Sequence, residues 1–407
     1  MARPYPTVTV TDKAERALRA GHPWVFEGEV LAAEDCADGG IVDVRSRKGR
    51  WLGAGFFNSA SKIRVRVLSR NANDRFDDEF FARRVRYALD YRRTVMPGAD
   101  FNACRLIFGE ADGFPGLTVD RFEDVLVTEV LCLGIEQRRD SIYRALVQEL
   151  KRDGVAVRVL YERSDAPIRA KEGLPPVTGY YPLPGLETAG SGHVLIREND
   201  LLYDVDFVGG QKTGFFLDQK YNRLAAARLA RGRTVLECFT HTGAFALNAA
   251  HGGAKHVTAV DVSASALEQA QRNAELNGLE NSIDFVCDDV FDLLTRLDNA
   301  GCRDYDYILL DPPAFTKSGS TVDAAFRGYK EINRRAMHML PRGGYLGTCS
   351  CSHFMTDELF RRMLADAAAD AAVSLRQIEA RRQAPDHPIL WGVPETEYLK
   401  YYLFQVV

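Results

Sequence analysis

The chain has 407 residues, 46% of them apolar and 27% charged, with a net charge of −4 at neutral pH. That composition excludes a disordered or collagen-like chain, and the length predicts two to three domains, each able to bury a core. No apolar run approaches the ~18 residues of a membrane helix, the first residues lack a signal-peptide core, and the eight cysteines include no CxxC pair. A reduced, cytoplasmic protein with no metal site is the expectation.

Charge is unevenly spread: residues 1–72 carry a net +4, residues 73–186 a net −2 and residues 187–407 a net −6. The total therefore hides a modestly basic N-terminal region, either an electrostatic footprint of the kind that docks on nucleic acid or chance variation of surface charge. Short strands are predicted there at Thr7–Val10, Ile41–Arg45, Trp51–Phe57 and Ile63–Leu68, together a small β-barrel. Lys62, Arg64 and Arg66 share one face of the last strand, which makes Arg64 and Arg66 candidate RNA contacts. A helix over 76–97 follows and stops before Pro97. Strands at Arg105–Phe108, Leu117–Asp120, Val125–Leu131 and Ala156–Tyr161, with a helix near Gln137–Lys151, predict a small central α+β domain. Lys171–Gly192, rich in Pro and Gly, reads as a linker. Domain boundaries are placed at 1–72, 73–186 and 187–407.

From about residue 234 strands and helices alternate. Strands are predicted at Thr234–Cys238, Val257–Asp261, Ile283–Val286, Tyr305–Asp311 and Tyr345–Cys349. Helices are predicted at Ala244–His251, Ala264–Asn277, Val290–Leu297 and Ala325–Met339. That alternation calls for a parallel, doubly wound α/β sheet, whose ligands sit at the carboxyl ends of its strands. The first strand runs into Phe239-Thr240-His241-Thr242-Gly243, a small-residue turn whose Gly243 permits close backbone approach to an anionic ligand. It lacks the three glycines of a dinucleotide fingerprint. Asp261 ends the second strand about 23 residues after Cys238, at a place suited to ribose hydroxyls or, equally, to capping the next helix. Asp288 and Asp289 end the third, where either could meet an adenine amino group or charge a helix N-terminus. Asp311-Pro312-Pro313 ends the fourth in a rigid loop that could hold a planar base. Cys349 and Cys351 follow the fifth; each is a candidate nucleophile or a small buried apolar residue. Upstream, Gly210–Arg223 mixes Lys212, Asp218, Gln219, Asn222 and Arg223 with two Phe and reads as a binding lid or a solvated loop.

Together these motifs resemble the class I S-adenosylmethionine-dependent methyltransferases, with their Rossmann-like sheet. More narrowly, the chain is similar to the bacterial large-subunit (23S) rRNA cytosine-C5 methyltransferases that carry an N-terminal PUA domain. Gly21–Phe26, Leu52–Gly55 and Arg66–Ser69 resemble that PUA domain, and Glu110–Leu117 and Tyr161–Asp165 resemble the central domain. Gly210–Arg223, Asp311-Pro312-Pro313 and Cys351-Ser352 resemble the catalytic signatures. The resemblance implies S-adenosylmethionine as cofactor and 23S rRNA, before ribosome assembly is complete, as partner, with a homodimer one option for the assembly. It implies Cys351 as nucleophile, with Cys349 the fallback, and Asp311 on the cytosine edge. Phe239, Thr240, Thr242, Gly243, Asp261, Asp288, Asp289, Asp311 and Gln219 would line the cofactor site. Arg223, Lys212, Pro312, Pro313, Arg64 and Arg66 would meet RNA. One departure matters: other RNA cytosine-C5 methyltransferases carry a second Cys where this chain has Pro313. Two alternatives follow, an rRNA guanine-nitrogen methyltransferase without covalent catalysis and a non-catalytic RNA-binding or ribosome-assembly factor.

Overall fold

The computed structural model describes residues 3–407. By contact the chain divides into two compact units: Met1–Ile196, Val205–Leu217 and Pro385–Thr396 form the first, and Arg197–Asp204, Asp218–Ala384 and Glu397–Val407 the second. The first two sequence regions thus fall in one unit, and the third contributes three segments to it.

The first unit opens with β1 (Thr7–Val10), α1 (Asp12–Ala20), β2 (Trp24–Phe26), β3 (Val30–Ala33), β4 (Ile41–Ser46), β5 (Trp51–Phe57) and β6 (Ile63–Ser69). Among the described residues these strands make one sheet in the order β2-β6-β5-β4-β1-β3, with only β1 and β4 parallel. Val8, Val10, Val25, Val42, Val44 and Val65 fill its core. Alternation puts these β-branched side chains on the inner face and their neighbours on the other. The sequence reading lacked α1. Thr11 caps it by accepting from the Ala14 amide, Gly21 at φ 115° ends it, and Ala14 and Leu18 are its only buried residues. So narrow an apolar stripe leaves little periodic signal.

Next come α2 (Asp78–Val95), β7 (Ala103–Phe108), β8 (Leu117–Phe122), β9 (Val125–Val130), α3 (Leu133–Glu136), α4 (Arg139–Arg152), β10 (Val159–Ser164) and β11 (Val177–Tyr180). Asp77 caps α2, which buries Phe80, Phe81, Val85, Ala88, Leu89 and Arg92. The sheet order is β11-β10-β9-β8-β7. β11 lies inside the stretch read as a linker: after two prolines, Val177–Tyr180 pairs antiparallel with β10.

β12 (His193–Glu198) and β13 (Leu201–Asp206) form a two-stranded sheet whose residues are divided between the units. The second unit then runs α5 (Lys220–Ala230), β14 (Thr234–Cys238), α6 (Ala244–His251), β15 (His256–Asp261), α7 (Ala264–Leu276), β16 (Ile283–Cys287), α8 (Val290–Asn299), β17 (Tyr307–Leu310), α9 (Val322–Met339), β18 (Tyr345–Ser350), α10 (Asp357–Asp370), β19 (Leu375–Arg381) and β20 (Lys400–Val406). Its sheet order is β16-β15-β14-β17-β18-β20-β19. β14 to β18 are parallel, but β20 runs antiparallel between β18 and β19, so the sheet is mixed rather than wholly parallel. The sequence reading lacked β19 and β20, which residues 385–396 of the first unit separate. Strand order reverses between β14 and β17, and the crevice at their carboxyl ends is where this architecture places ligands. Among the described residues no helix is long and apolar enough to cross a membrane, and no group of His, Cys, Asp and Glu could hold a metal ion.

Candidate active site

The loop after β14 is held by carboxylates. Phe239 and His241 adopt left-handed backbone (φ 67° and 51°), and Gly243 follows at φ 82°. Such conformations persist only where the surroundings fix them. Here the His241 amide donates to Asp261 Oδ2 at 2.8 Å, and the Ser263 amide donates to Asp261 Oδ1 at 2.9 Å. Asp261 therefore ties the ends of β14 and β15 together, and Ser263 is the residue that caps α7. Gly243 is also required by packing: a Cβ there would meet Ala270 Cβ and Leu247 Cδ1, both at 2.9 Å.

Glu237, unremarked in the sequence, is buried at the end of β14 and accepts from the Thr240 hydroxyl at 2.5 Å. Burial pushes its carboxyl up to about 8. The folded chain then holds that proton more tightly than the unfolded one, so stability falls as pH rises from about 4.5 to about 8. Glu237→Gln keeps an acceptor for Thr240 and removes the ionisation. Its thermal midpoint is expected to decline less than the wild type's between about pH 5 and pH 8; parallel curves would show that Glu237 titrates normally.

At the ends of β17 and β18 three side chains meet. Gln219 Nε2 donates to Asp311 Oδ1 at 3.0 Å and reaches Cys349 Sγ at 3.4 Å, and the Cys349 thiol donates to Asp311 Oδ1 at 3.0 Å. Burial pushes Asp311 up to about 6, and burial together with the adjacent Asp311 charge pushes the Cys349 thiol well above its ordinary value. Cys349 is thus held as a thiol. Cys351 lies beyond the strand and is half-buried, its Sγ 4.0 Å from the Pro312 carbonyl oxygen. The turn around it is braced twice. Tyr329 hydrogen-bonds Ser350 Oγ and Ser352 Oγ, each at 3.0 Å, and the buried Lys400 Nζ donates to the Ser352 and Tyr398 carbonyls at 2.6 and 2.7 Å. Lys400 comes from β20, a strand the sequence reading lacked, and Tyr329 from mid-α9 carries no motif.

The remaining sequence candidates divide. Phe239 packs its ring against Phe291 and Phe315, and Phe315 packs on Tyr329 at 4.5 Å between centroids. Thr240 turns inward to Glu237, and the Thr242 carbonyl accepts from Asn273. Asp289 caps α8 through the Asp292 amide, and Asp288 pairs with Arg296. The lid reading of 210–223 is corrected: Asp218, Gln219, Lys220, Asn222 and Arg223 are all buried. Arg223 lies in a bidentate pair with buried Glu198 (2.7 and 2.9 Å), because a guanidinium out of water needs a fixed counter-charge. Lys212 is exposed and belongs to the first unit, its Nζ 5.0 Å over the Phe216 ring. Arg66, read as an outward RNA contact, is instead largely buried against Glu110 (3.2 Å) and Glu172 (3.0 Å). Arg64 pairs with Glu27 at 2.6 Å. Both guanidiniums are already matched by protein carboxylates.

A PUA-like domain family matches residues 8–70, and the S-adenosylmethionine-dependent methyltransferase family matches residues 187–405. The chain belongs to that methyltransferase family. Its cofactor is S-adenosylmethionine. The ribosomal RNA large subunit methyltransferase I of Klebsiella pneumoniae is 41% identical over 409 residues, covering 99% of each chain. The protein of the same name from Shewanella denitrificans is 42% identical over 391 residues, covering 95% of this chain and 96% of its own. Among solved structures, one from Streptococcus mutans gives a TM-score of 0.82 at 24% identity, covering 98% of this chain and 99% of that one. A methyltransferase complexed with SAH gives 0.83 at 23%, with the same coverage. These two likenesses show the fold.

The residues at the strand ends suit that cofactor. Beside the Asp261 carboxylate, Val262 is 71% exposed, an apolar side chain that a flat purine would cover. Each Asp261 oxygen accepts one amide and keeps a lone pair for a ribose hydroxyl.

Proposed function

We propose that this protein methylates C5 of a cytosine in large-subunit (23S) rRNA through a covalent bond from Cys351 to C6 of the base, acting in the cytoplasm before ribosome assembly covers that base. The observation that carries the reading is the contrast between two thiols: Cys349 is buried with its S–H on Asp311, whereas Cys351 is half-exposed beside the Pro312 carbonyl. The identity to large-subunit rRNA methyltransferases over nearly the whole chain supports the substrate class. On this reading 1–72 and 73–186 contribute RNA docking and 187–407 the chemistry.

Cytosine C5 is a weak nucleophile. The Cys351 thiolate adds to C6, and the C5=C6 electron pair becomes available at C5 for a methyl electrophile. The cofactor, when bound, would supply that methyl from its sulfonium, the S–C bond breaking to leave a neutral thioether; Asp261, Val262 and the 239–243 loop would hold it. Loss of the C5 proton to a water then restores the double bond and expels the Cys351 thiolate. Asp311, pushed up to about 6, is able to share a proton with N3 as charge builds on the ring, and Gln219 fixes its carboxyl. A base must leave its stack to reach such a crevice. Treating protein-free large-subunit rRNA with enzyme and cofactor, followed by nucleoside mass spectrometry, is expected to yield 5-methylcytidine. Methylguanosine instead would overturn the reading.

Lys400 bears on the same step. Its ammonium clamps the carbonyl next to Cys351, and desolvation lowers it to about 8 while the Cys351 sulfur opposes that shift. Lys400→Met is expected to slow iodoacetamide alkylation of Cys351 at neutral pH by roughly fivefold or more, with Lys400→Arg close to wild type. Equal rates in all three would remove Lys400 from the activation of the thiol.

A further inference from the structure

A groove of about 620 Å³ in the first unit lies outside everything assigned above, lined by β6, the outer face of α2, the 110–113 turn and the 388–390 segment. That volume is within the ~300–1,000 Å³ range of ligand sites. Its three carboxylates already have partners: Asp74 pairs with Arg83, Asp112 with Arg92, and Glu110 with Arg66 and the Trp24 indole. Two lining cations form no ion pair. Arg84 donates to the Leu68 carbonyl at 2.7 Å and lies over the Phe80 ring, and neither it nor the exposed Arg70 forms an ion pair among the described residues. Burial lowers both, and for Arg84 the nearby Asp74 offsets only part of that shift. The groove therefore presents two guanidiniums that no carboxylate engages in an ion pair among the described residues.

It also displays aromatic rings. Tyr87 and Tyr91 stand one turn apart on α2, and Tyr87 is 61% exposed. Next along the chain from the lining Leu390, Trp391 is 97% exposed. Its turn is firmly supported: Gly392 packs so closely on Gly21 that a Cβ would lie 2.9 Å from the Gly21 backbone, and Glu395 meets His22 at 3.3 Å. A fully exposed indole on a supported turn leaves both ring faces open to a stacking partner.

We infer that this groove docks single-stranded RNA, with phosphates on Arg70 and Arg84 and unstacked bases on Tyr87 and Trp391. Unmatched guanidiniums beside free aromatic faces are what a flexible polyanion with flat bases requires. A duplex would keep its bases stacked internally and gain only the charge contacts. The inference rests on the rRNA reading above and deepens it: a second contact site, in the unit that does not hold Cys351, would select strands flanking the target.

The test uses the full chain with S-adenosylmethionine and a fluorescein-labelled single-stranded oligoribonucleotide of about 12 nucleotides, with the matching duplex as control. Tyr87→Ala/Trp391→Ala and Arg70→Glu are all at exposed positions. Each variant is expected to weaken single-strand binding about tenfold or more, and Arg70→Glu to reduce the salt slope by about 0.7 or more. Wild-type tryptophan emission is expected to be quenched on binding, with that change lost in Trp391→Ala. Affinities within twofold of wild type, or equal losses for strand and duplex, overturn the inference, as does an unchanged RNA affinity with loss of a ribosomal-protein contact. If the wild type still yields methylated rRNA, only the groove assignment falls; if it neither binds nor methylates RNA, the substrate reading falls too.

Discussion

Cys351→Ser is expected to lower methylation of protein-free large-subunit rRNA by on the order of 10³-fold or more, because a serine hydroxyl at neutral pH is far too weak a nucleophile for C6. Cys349→Ser is expected to stay within about tenfold of wild type, since a hydroxyl can make the same donation to Asp311 that the thiol makes at 3.0 Å. The two variants differ by a single oxygen-for-sulfur exchange two residues apart, so a protocol that merely unfolds the protein would affect both. Cofactor binding, read as a thermal shift with S-adenosylmethionine, should survive in both. A Cys351→Ser enzyme that still makes 5-methylcytidine would eliminate the covalent route. A Cys349→Ser enzyme that is dead while Cys351→Ser is active would move the nucleophile to the strand and require Asp311 to act as its base.

The contrast between these thiols shows what was legible in the sequence. Alternation of short apolar runs with helical segments located β14 to β18 within a residue or two, because parallel strands buried on both faces leave compact apolar signals. Asp261, Asp311 and Cys351 stood out as candidates because each lies at or just past the end of such a strand. Direction of a side chain was not legible. Arg66 shares its strand face with Arg64, and alternation cannot say that the face turns towards Glu110 and Glu172 of the central sheet's loops rather than to solvent. Asp261 reads the same whether it binds a ribose or two backbone amides, and the structure shows that the amides are there. The place of Lys400 was not legible for another reason: β20 pairs with β18 fifty residues upstream (Ser350 opposite Lys400), so the contact that puts Lys400 beside the Cys351 turn is entirely non-local.

Arg223 supplies the second large effect, on stability. Its guanidinium makes two hydrogen bonds to Glu198 with both side chains almost wholly out of water. Removing one member of a buried pair strands the other's charge, so Arg223→Met is expected to destabilise the protein by about 3–5 kcal/mol, read as a lower urea midpoint for the second unit's transition. Arg223→Met combined with Glu198→Leu is expected to recover most of that loss, because two apolar side chains of similar size avoid the desolvation that the pair must offset. A residue that closed over RNA would behave otherwise: Arg223→Met would leave the midpoint unchanged and raise KM for rRNA, and the second substitution would rescue nothing. Burial decides between these outcomes in advance, since a guanidinium 2% exposed cannot reach a phosphate without first breaking both bonds to Glu198.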